Sequence, residues 1–303
     1  MVVRVGPFGR PVTLMVLWTL AAGCRFAGVE GPASRSLVLS RQLSQQGIAA
    51  LERGHGEQAN ELLSQAVRAC PSNADAHRSY AEARWSLGFR DEALTEMETA
   101  RRLAPDNAVI LARIAEMRLA LGQPETAGQY AQRAIALEPK LAAAWSARAR
   151  VMHAAGNASQ ALADYHRALA LAPDDRTIPC EIAALYLELG QPQRALLAVQ
   201  GLADRFSPGD EPQEVLYYQG LSYMAMQRFE DAAESLAAAA VRERPTAEIL
   251  YRLAEAQRAA GRPTEALAAA EQALAIDPNH QPARALVAET RLAQSTDATK
   301  LRR

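Results

Sequence analysis

A single period runs through the chain. Ala59, Ala93, Ala127, Ala161 and Ala195 follow one another at intervals of 34 residues; Ala232 comes 37 later and Ala266 a further 34 on. Neighbouring columns keep step with it. Twelve residues before these alanines stand Gly47, Ala81, Ala115, Ala149, Ala183, Gly220 and Ala254, and seven after stand Ala66, Ala100, Ala134, Ala168, Leu202, Ala239 and Ala273. Five before stand Gly54, Gly88, Gly122, Gly156, Gly190 and Gly261, with Gln227 in the remaining copy. Twelve after stand Pro71, Pro105, Pro139, Pro173 and Pro278, while Pro208 and Pro245 follow the two exceptions by one residue. A chain built this way stacks one supersecondary unit on the next, and each copy buries its apolar face against its neighbour.

The columns say what the unit is. Glycine suits a helix end that needs φ > 0, and proline stops a second helix and restricts the residue before it. Two helices therefore fit in each period. Composition agrees, because 49% of the residues are hydrophobic, only 5% are aromatic, and 65 of the 303 are alanine. That bias favours helices in close contact over a sheet of β-branched and aromatic residues.

The columns, with large apolar residues at Trp145, Tyr165, Tyr186, Tyr223 and Phe229 and at Leu43, Leu111, Leu216 and Leu250, resemble tetratricopeptide repeats. The resemblance implies an all-α, right-handed superhelical solenoid of antiparallel helix pairs. Its units fall at 40–73, 74–107, 108–141, 142–175, 176–212, 213–246 and 247–280. A capping helix over 281–294 covers the last open face, and 295–303 form a disordered tail. Unit five departs from the pattern, with three extra residues in 205–212 and Pro179 in its first helical turn. Its first helix is expected to start one or two residues late, its second helix or following loop to be longer, and the superhelix to bend or open there. In unit six Gln227 implies a tighter turn.

The N-terminus has a different composition. Arg4 and Arg10 precede an uncharged run from Val12 to Ala22, and Ala21-Ala22-Gly23-Cys24 follows. Eleven uncharged residues rise about 16 Å as a helix against a hydrocarbon core of ~30 Å, which suits a signal peptide better than a transmembrane span. The ending resembles a bacterial lipobox, although Leu20 lies one place further from Cys24 than in the commonest pattern. This implies a signal peptide over 1–23, a lipidated Cys24 and a flexible tether over 24–39, in an exported, membrane-anchored lipoprotein facing the periplasm. The alternative is a plain secretory signal cut after Ala22 or Gly23, leaving a soluble periplasmic or secreted protein.

Little in the chain points to chemistry. The 33 basic and 34 acidic residues nearly cancel and are interspersed, which gives no basic stripe for nucleic acid. His55, His77, His153, His166 and His280 form no paired ligand motif, and His77 reads as a half-buried packing residue. Cys70 and Cys180 lie in units one and five, too far apart along a stack for a disulfide. No nucleophile elbow, phosphate loop or dinucleotide turn is present. The chain reads as non-enzymatic, with no cofactor, metal or small-molecule substrate expected.

What remains is surface. The resemblance implies that first helices line a concave face whose variable positions select a protein or peptide partner. Three rows map to it: Ile48, Glu82, Glu116, Arg150, Ala184, Leu221 and Glu255; Leu51, Trp85, Leu119, His153, Leu187, Met224 and Arg258; and Ser44, Arg78, Ala112, Ser146, Cys180, Tyr217 and Tyr251. The candidate groove residues are Trp85, Glu116, Leu119, Arg150, Leu187, Tyr217, Leu221, Met224 and Tyr251. They form an apolar track flanked by acids, suited to an extended or helical peptide with an apolar stripe and basic ends. The Lys and Asn of the family's two-carboxylate clamp are absent, so that activity does not carry over. The expected function is a scaffold or adaptor. The alternatives are packing of the track inside the superhelix, end-to-end self-assembly, and a regulatory subunit of an envelope enzyme.

Overall fold

The computed structural model of the protein describes the backbone of residues 32–301 and the side chains of residues 34–292. These residues form fifteen helices and no strand. Unit one pairs α1 (Pro32–Glu52) with α2 (Gly56–Ala69), unit two α3 (Ala74–Ser86) with α4 (Arg90–Leu103), and unit three α5 (Ala108–Ala120) with α6 (Pro124–Leu137). Unit four pairs α7 (Ala142–Ala154) with α8 (Ala158–Leu171), and unit five α9 (Thr177–Glu188) with α10 (Pro192–Ala203). Unit six pairs α11 (Gln213–Ala225) with α12 (Phe229–Arg242), unit seven α13 (Ala247–Ala259) with α14 (Pro263–Ile276), and α15 (Gln281–Leu301) caps the stack.

Each helix packs mainly on its chain neighbours, as a one-dimensional stack requires. Successive first helices also meet, α1 with α3, α5 with α7, α9 with α11 and α11 with α13, whereas no two successive second helices come comparably close. The closely spaced set lies on the inside of the curve. First helices therefore form the inner wall and second helices the outer one.

The repeated columns do the jobs their spacing implied. All seven alanines of the defining column are fully buried. A Cβ on Gly47 would stand 2.5 Å from Leu63 Cγ, and one on Gly220 would stand 2.5 Å from Leu236 Cγ. In those two units the missing side chain is what admits leucine on the partner helix. Gly88 closes α3 at φ +87°, where Gly88 N donates to Trp85 O and Phe89 N to Arg84 O. Gln227 adopts the same left-handed turn at φ 59°, with Gln227 N donating to Met224 O and Arg228 N to Tyr223 O. The turn is thus not tighter than in the glycine units; a β-carbon is simply accommodated in the left-handed region.

Two boundaries differ from the sequence reading, and a third, in unit five, follows it. Helix α1 begins at Pro32, inside the stretch assigned to the tether. Proline fits a first helical position, and no glycine or proline interrupts the chain again before Gly47. The stretch also has a helical anchor further on, for buried Ser40 accepts a hydrogen bond from Asn73 Nδ2 at 3.0 Å. Helix α15 likewise continues to Leu301, past Gln294 into the expected tail, since neither glycine nor proline stops it. In unit five α9 starts one residue late, at Thr177, where the Asp175 carboxylate accepts from Thr177 N at 2.7 Å and Ile178 N at 3.1 Å. The extra residues lengthen the loop and not the helix: α10 has 12 residues against 14 in most other second helices, and the chain then loops until α11 begins at Gln213.

His77 is more deeply set than a half-buried packing residue. It is 7% exposed, with Nδ1 donating to Glu96 at 2.6 Å and Nε2 to the Pro71 carbonyl at 3.1 Å. Both nitrogens face acceptors, so the doubly protonated ring satisfies both. The hydrogen bond to Glu96 raises its pKa above the usual 6.5, burial opposes this, and the Pro71 carbonyl adds to the rise. A histidine with a raised folded pKa contributes its full stability below the unfolded value and loses it as pH climbs through the folded one. The thermal midpoint is therefore expected to fall between pH 6 and pH 8, and His77→Gln to flatten that fall. An equally steep fall in the variant would refute the assignment.

Candidate functional site

The nine candidate residues project from first helices, and all are half-buried. The structure divides them into two groups. In units two to five the inner wall is a ladder of ion pairs. Arg113 of α5 holds Glu82 of α3 bidentately, with contacts of 2.7 and 2.8 Å, and reaches Glu116 at 2.8 Å. Glu116 pairs with Arg150 of α7, which in turn meets Glu181 of α9 at 3.1 Å, and Glu181 accepts from Tyr165 at 3.2 Å. Burial opposes the charged form of both arginines, yet their carboxylate partners hold both above the ordinary guanidinium range. Glu116 and Arg150 thus serve each other first. Trp85 is likewise occupied, under the Arg90 guanidinium at 4.2 Å and beside Arg113 at 5.7 Å from the ring centre.

The second group is apolar. Leu187, Met224, Tyr217 and Tyr251 are half-exposed but also lean on buried clusters of units five to seven. Tyr217 makes an edge contact with Tyr218 at 5.3 Å. The Tyr251 ring lies tilted against His280 at 5.1 Å, and its hydroxyl donates to Glu255 at 2.7 Å; burial first, and then that carboxylate, push the hydroxyl up to about 12. Leu119 and Leu221 differ from the rest. Both are half-exposed and belong to none of the buried clusters. Of the third row, Ser44, Ala112, Ser146 and Cys180 are buried.

The three rows missed Arg113 and Arg252, one residue past the third row. Arg252 holds Glu248 at 2.7 Å and Glu255 at 2.9 Å. The signal was present as i, i+3 pairs, Arg113 with Glu116 and Arg252 with Glu255, which face each other on a helix.

A cavity of about 350 Å³ lies at Arg101, Arg118 and Tyr130 in units two and three, and others lie where the period breaks. A cleft of about 450 Å³ lies between α9 and α11, and two outer ones of about 340 and 210 Å³ lie along α8, α9 and α10. Cys180 borders the first; burial, reinforced by the Glu214 and Glu181 carboxylates, pushes its thiol up to about 12 and leaves it unreactive. Cys70 is also a buried free thiol. Among the described residues no group of three His, Cys, Asp or Glu is arranged to hold a metal ion.

A tetratricopeptide repeat family model matches residues 44–108, 81–142 and 217–280, together over half of the chain. The gap between the last two matches contains irregular unit five. Among solved structures, a tetratricopeptide repeat protein from Parabacteroides merdae aligns at 18% identity and TM-score 0.61, over 84% of this chain and 99% of that one. The APC/C hetero-tetramer Cut9–Hcn1 aligns at 17% identity and TM-score 0.55, over 86% of this chain but 47% of that one. At these identities the likeness concerns the fold alone. No curated protein matches the chain significantly in sequence.

Proposed function

The chain belongs to the tetratricopeptide repeat family, and from that premise we propose that it is a non-enzymatic scaffold holding a protein or peptide partner along its inner wall. The observation that carries this reading is the pair Leu119 and Leu221. They present apolar surface on the inner wall without contributing to a buried cluster, as contact residues for a partner do and core residues do not. Tyr217, Met224 and Tyr251 extend that surface, and aromatic and methionine side chains supply affinity at such surfaces. The ion-pair ladder keeps the wall of units two to five rigid and its charges matched. The reading requires that a charge placed at Leu221 abolish capture of the partner without unfolding the stack.

We further propose that the scaffold is tethered by lipid in a bacterial envelope. This rests on the run from Val12 to Ala22 and the Ala21-Ala22-Gly23-Cys24 ending, which lie outside the described residues. Among the described residues no helix is long and apolar enough to cross a membrane. The acyl chains on Cys24 would act as the anchor, each buried CH₂ contributing about 0.8 kcal/mol. Intact-mass spectrometry of the protein from native membranes is expected to show a chain starting at Cys24 with added acyl mass, lost in Cys24→Ser. An unmodified chain would make it a soluble exported binder.

End-to-end association has one observation in its favour. Val38 and Leu39, on terminal helix α1, are 51% and 49% exposed. Light scattering over a concentration series separates a dimer from the monomeric scaffold.

A further inference from the structure

The cleft between α9 and α11 lies on the inner wall beside the long loop after α10, and Pro212 at the loop's end borders it. Its floor is apolar. Cys180 and Val215 are buried, and the half-buried Tyr218 ring continues into Tyr217 of the groove. Its rim is acidic, with Glu181 on α9, Glu214 on α11 and Glu243 just after α12. Arg176 is the single basic residue of the lining, and its guanidinium lies over the Phe206 ring at 5.1 Å. Glu181 is already matched by Arg150 at 3.1 Å. Glu214 and Glu243 are exposed and form no ion pair among the described residues. The carboxylates of Glu214, Glu181 and Asp175 all act on the buried Cys180 thiol in one direction, so the field inside the cleft is negative.

An apolar floor beneath an acidic rim matches one kind of side chain, a hydrocarbon stem ending in a cation. We propose that this cleft receives a lysine or arginine side chain of the protein partner, its stem on Val215 and Tyr218 and its charge at Glu214 and Glu243. The proposal rests on the inner wall being the binding face and adds the chemistry of one anchor. An acidic side chain there would meet three carboxylates, and a purely apolar one would leave Glu214 and Glu243 without a partner.

The test is an amide NMR titration of the deuterated full chain in non-ionic detergent. The probes are Nα-acetyl-arginine methylamide and its neutral citrulline counterpart. The arginine probe is expected to give saturable shifts at Thr177, Val215 and Tyr218, with the citrulline probe about tenfold weaker. Glu214→Gln with Glu243→Gln should bring the arginine response down to the citrulline level while the rest of the spectrum is unchanged. Absence of saturable shifts at those amides, equal response to both probes, or an unaltered response in the double variant overturns the proposal. Repeating the titration on Leu221→Asp keeps the two readings apart. A cleft that still prefers arginine in a chain that captures its partner unimpaired contradicts the groove and leaves the cleft standing. Capture that depends on Leu221 without any arginine preference does the reverse.

Discussion

Replacing Arg148 with methionine is expected to cost about 3 kcal/mol of stability, read from urea denaturation followed by helical circular dichroism. Arg148 of α7 grips Asp164 of α8 with both arms of its fork, Nη2 to Oδ1 at 2.6 Å and Nε to Oδ2 at 2.7 Å. The Asp164 side chain is only 5% exposed. The same guanidinium reaches Gln132 of α6 at 2.9 Å and lies 4.8 Å from the Trp145 ring centre. One side chain therefore ties three helices across the boundary of units three and four. Methionine keeps much of the packing but strands a buried carboxylate, and that penalty outweighs the modest worth of an intact pair. Adding Asp164→Leu should accordingly recover most of the loss. Arg148→Lys should fall between the parent and the methionine variant, because an ammonium keeps the charge but not the fork. If Arg148→Met costs under about 0.5 kcal/mol, the pair behaves as a surface salt bridge and the argument fails.

Much of this fold was legible because its information is local and repeated. The alanine, glycine and proline columns each reflect one backbone requirement, and seven copies turn a weak preference into a pattern. The positive φ at Gly54, Gly88, Gly122, Gly156, Gly190 and Gly261 confirms that reading position by position. Where a decision depended on a single copy, the sequence was less informative. Gln227 could not be recognised as a left-handed residue, since its hydrogen bonds are backbone to backbone and leave no mark on side-chain choice. The start of α1 was hidden because Pro32 looked like a breaker, yet the helix begins on it, at the position that tolerates it.

The inner wall was legible by row but not by role. A row fixes which face of a helix a residue occupies, and it does not say whether the next helix covers that face. Ser146 and Cys180 share a row with Tyr217 and Tyr251, but their small side chains stay buried where the tyrosine rings reach half exposure. Charged positions hid another feature. Glu116 and Arg150 belonged to the right face, but their pairing with each other, and that of Arg150 with Glu181, crosses units, which only the curvature of the stack determines.

Placing aspartate at Leu221, alone and with Tyr217→Asp, is the change with the largest expected effect on function. Leu221 sits mid-helix on α11 and contributes to no buried cluster, so the single variant should cost no more than about 0.7 kcal/mol in helix propensity. Tyr217 also leans on Leu216, Ala239 and Ile249, so the double variant will lose more stability and the single variant carries the argument. A central apolar contact replaced by a charge is expected to weaken binding by 2 kcal/mol or more, about thirtyfold or beyond. The control is Leu197→Asp on α10, a leucine that is 67% exposed on the outer wall.

The decisive measurement is the yield of adduct crosslinked to the partner in intact cells for the parent chain, Leu221→Asp and Leu197→Asp, with helical content checked in each. The account predicts that the adduct disappears with Leu221→Asp and persists with Leu197→Asp. An adduct unchanged in Leu221→Asp, or lost only in Leu197→Asp, would place the partner elsewhere and contradict the inner wall as the binding face.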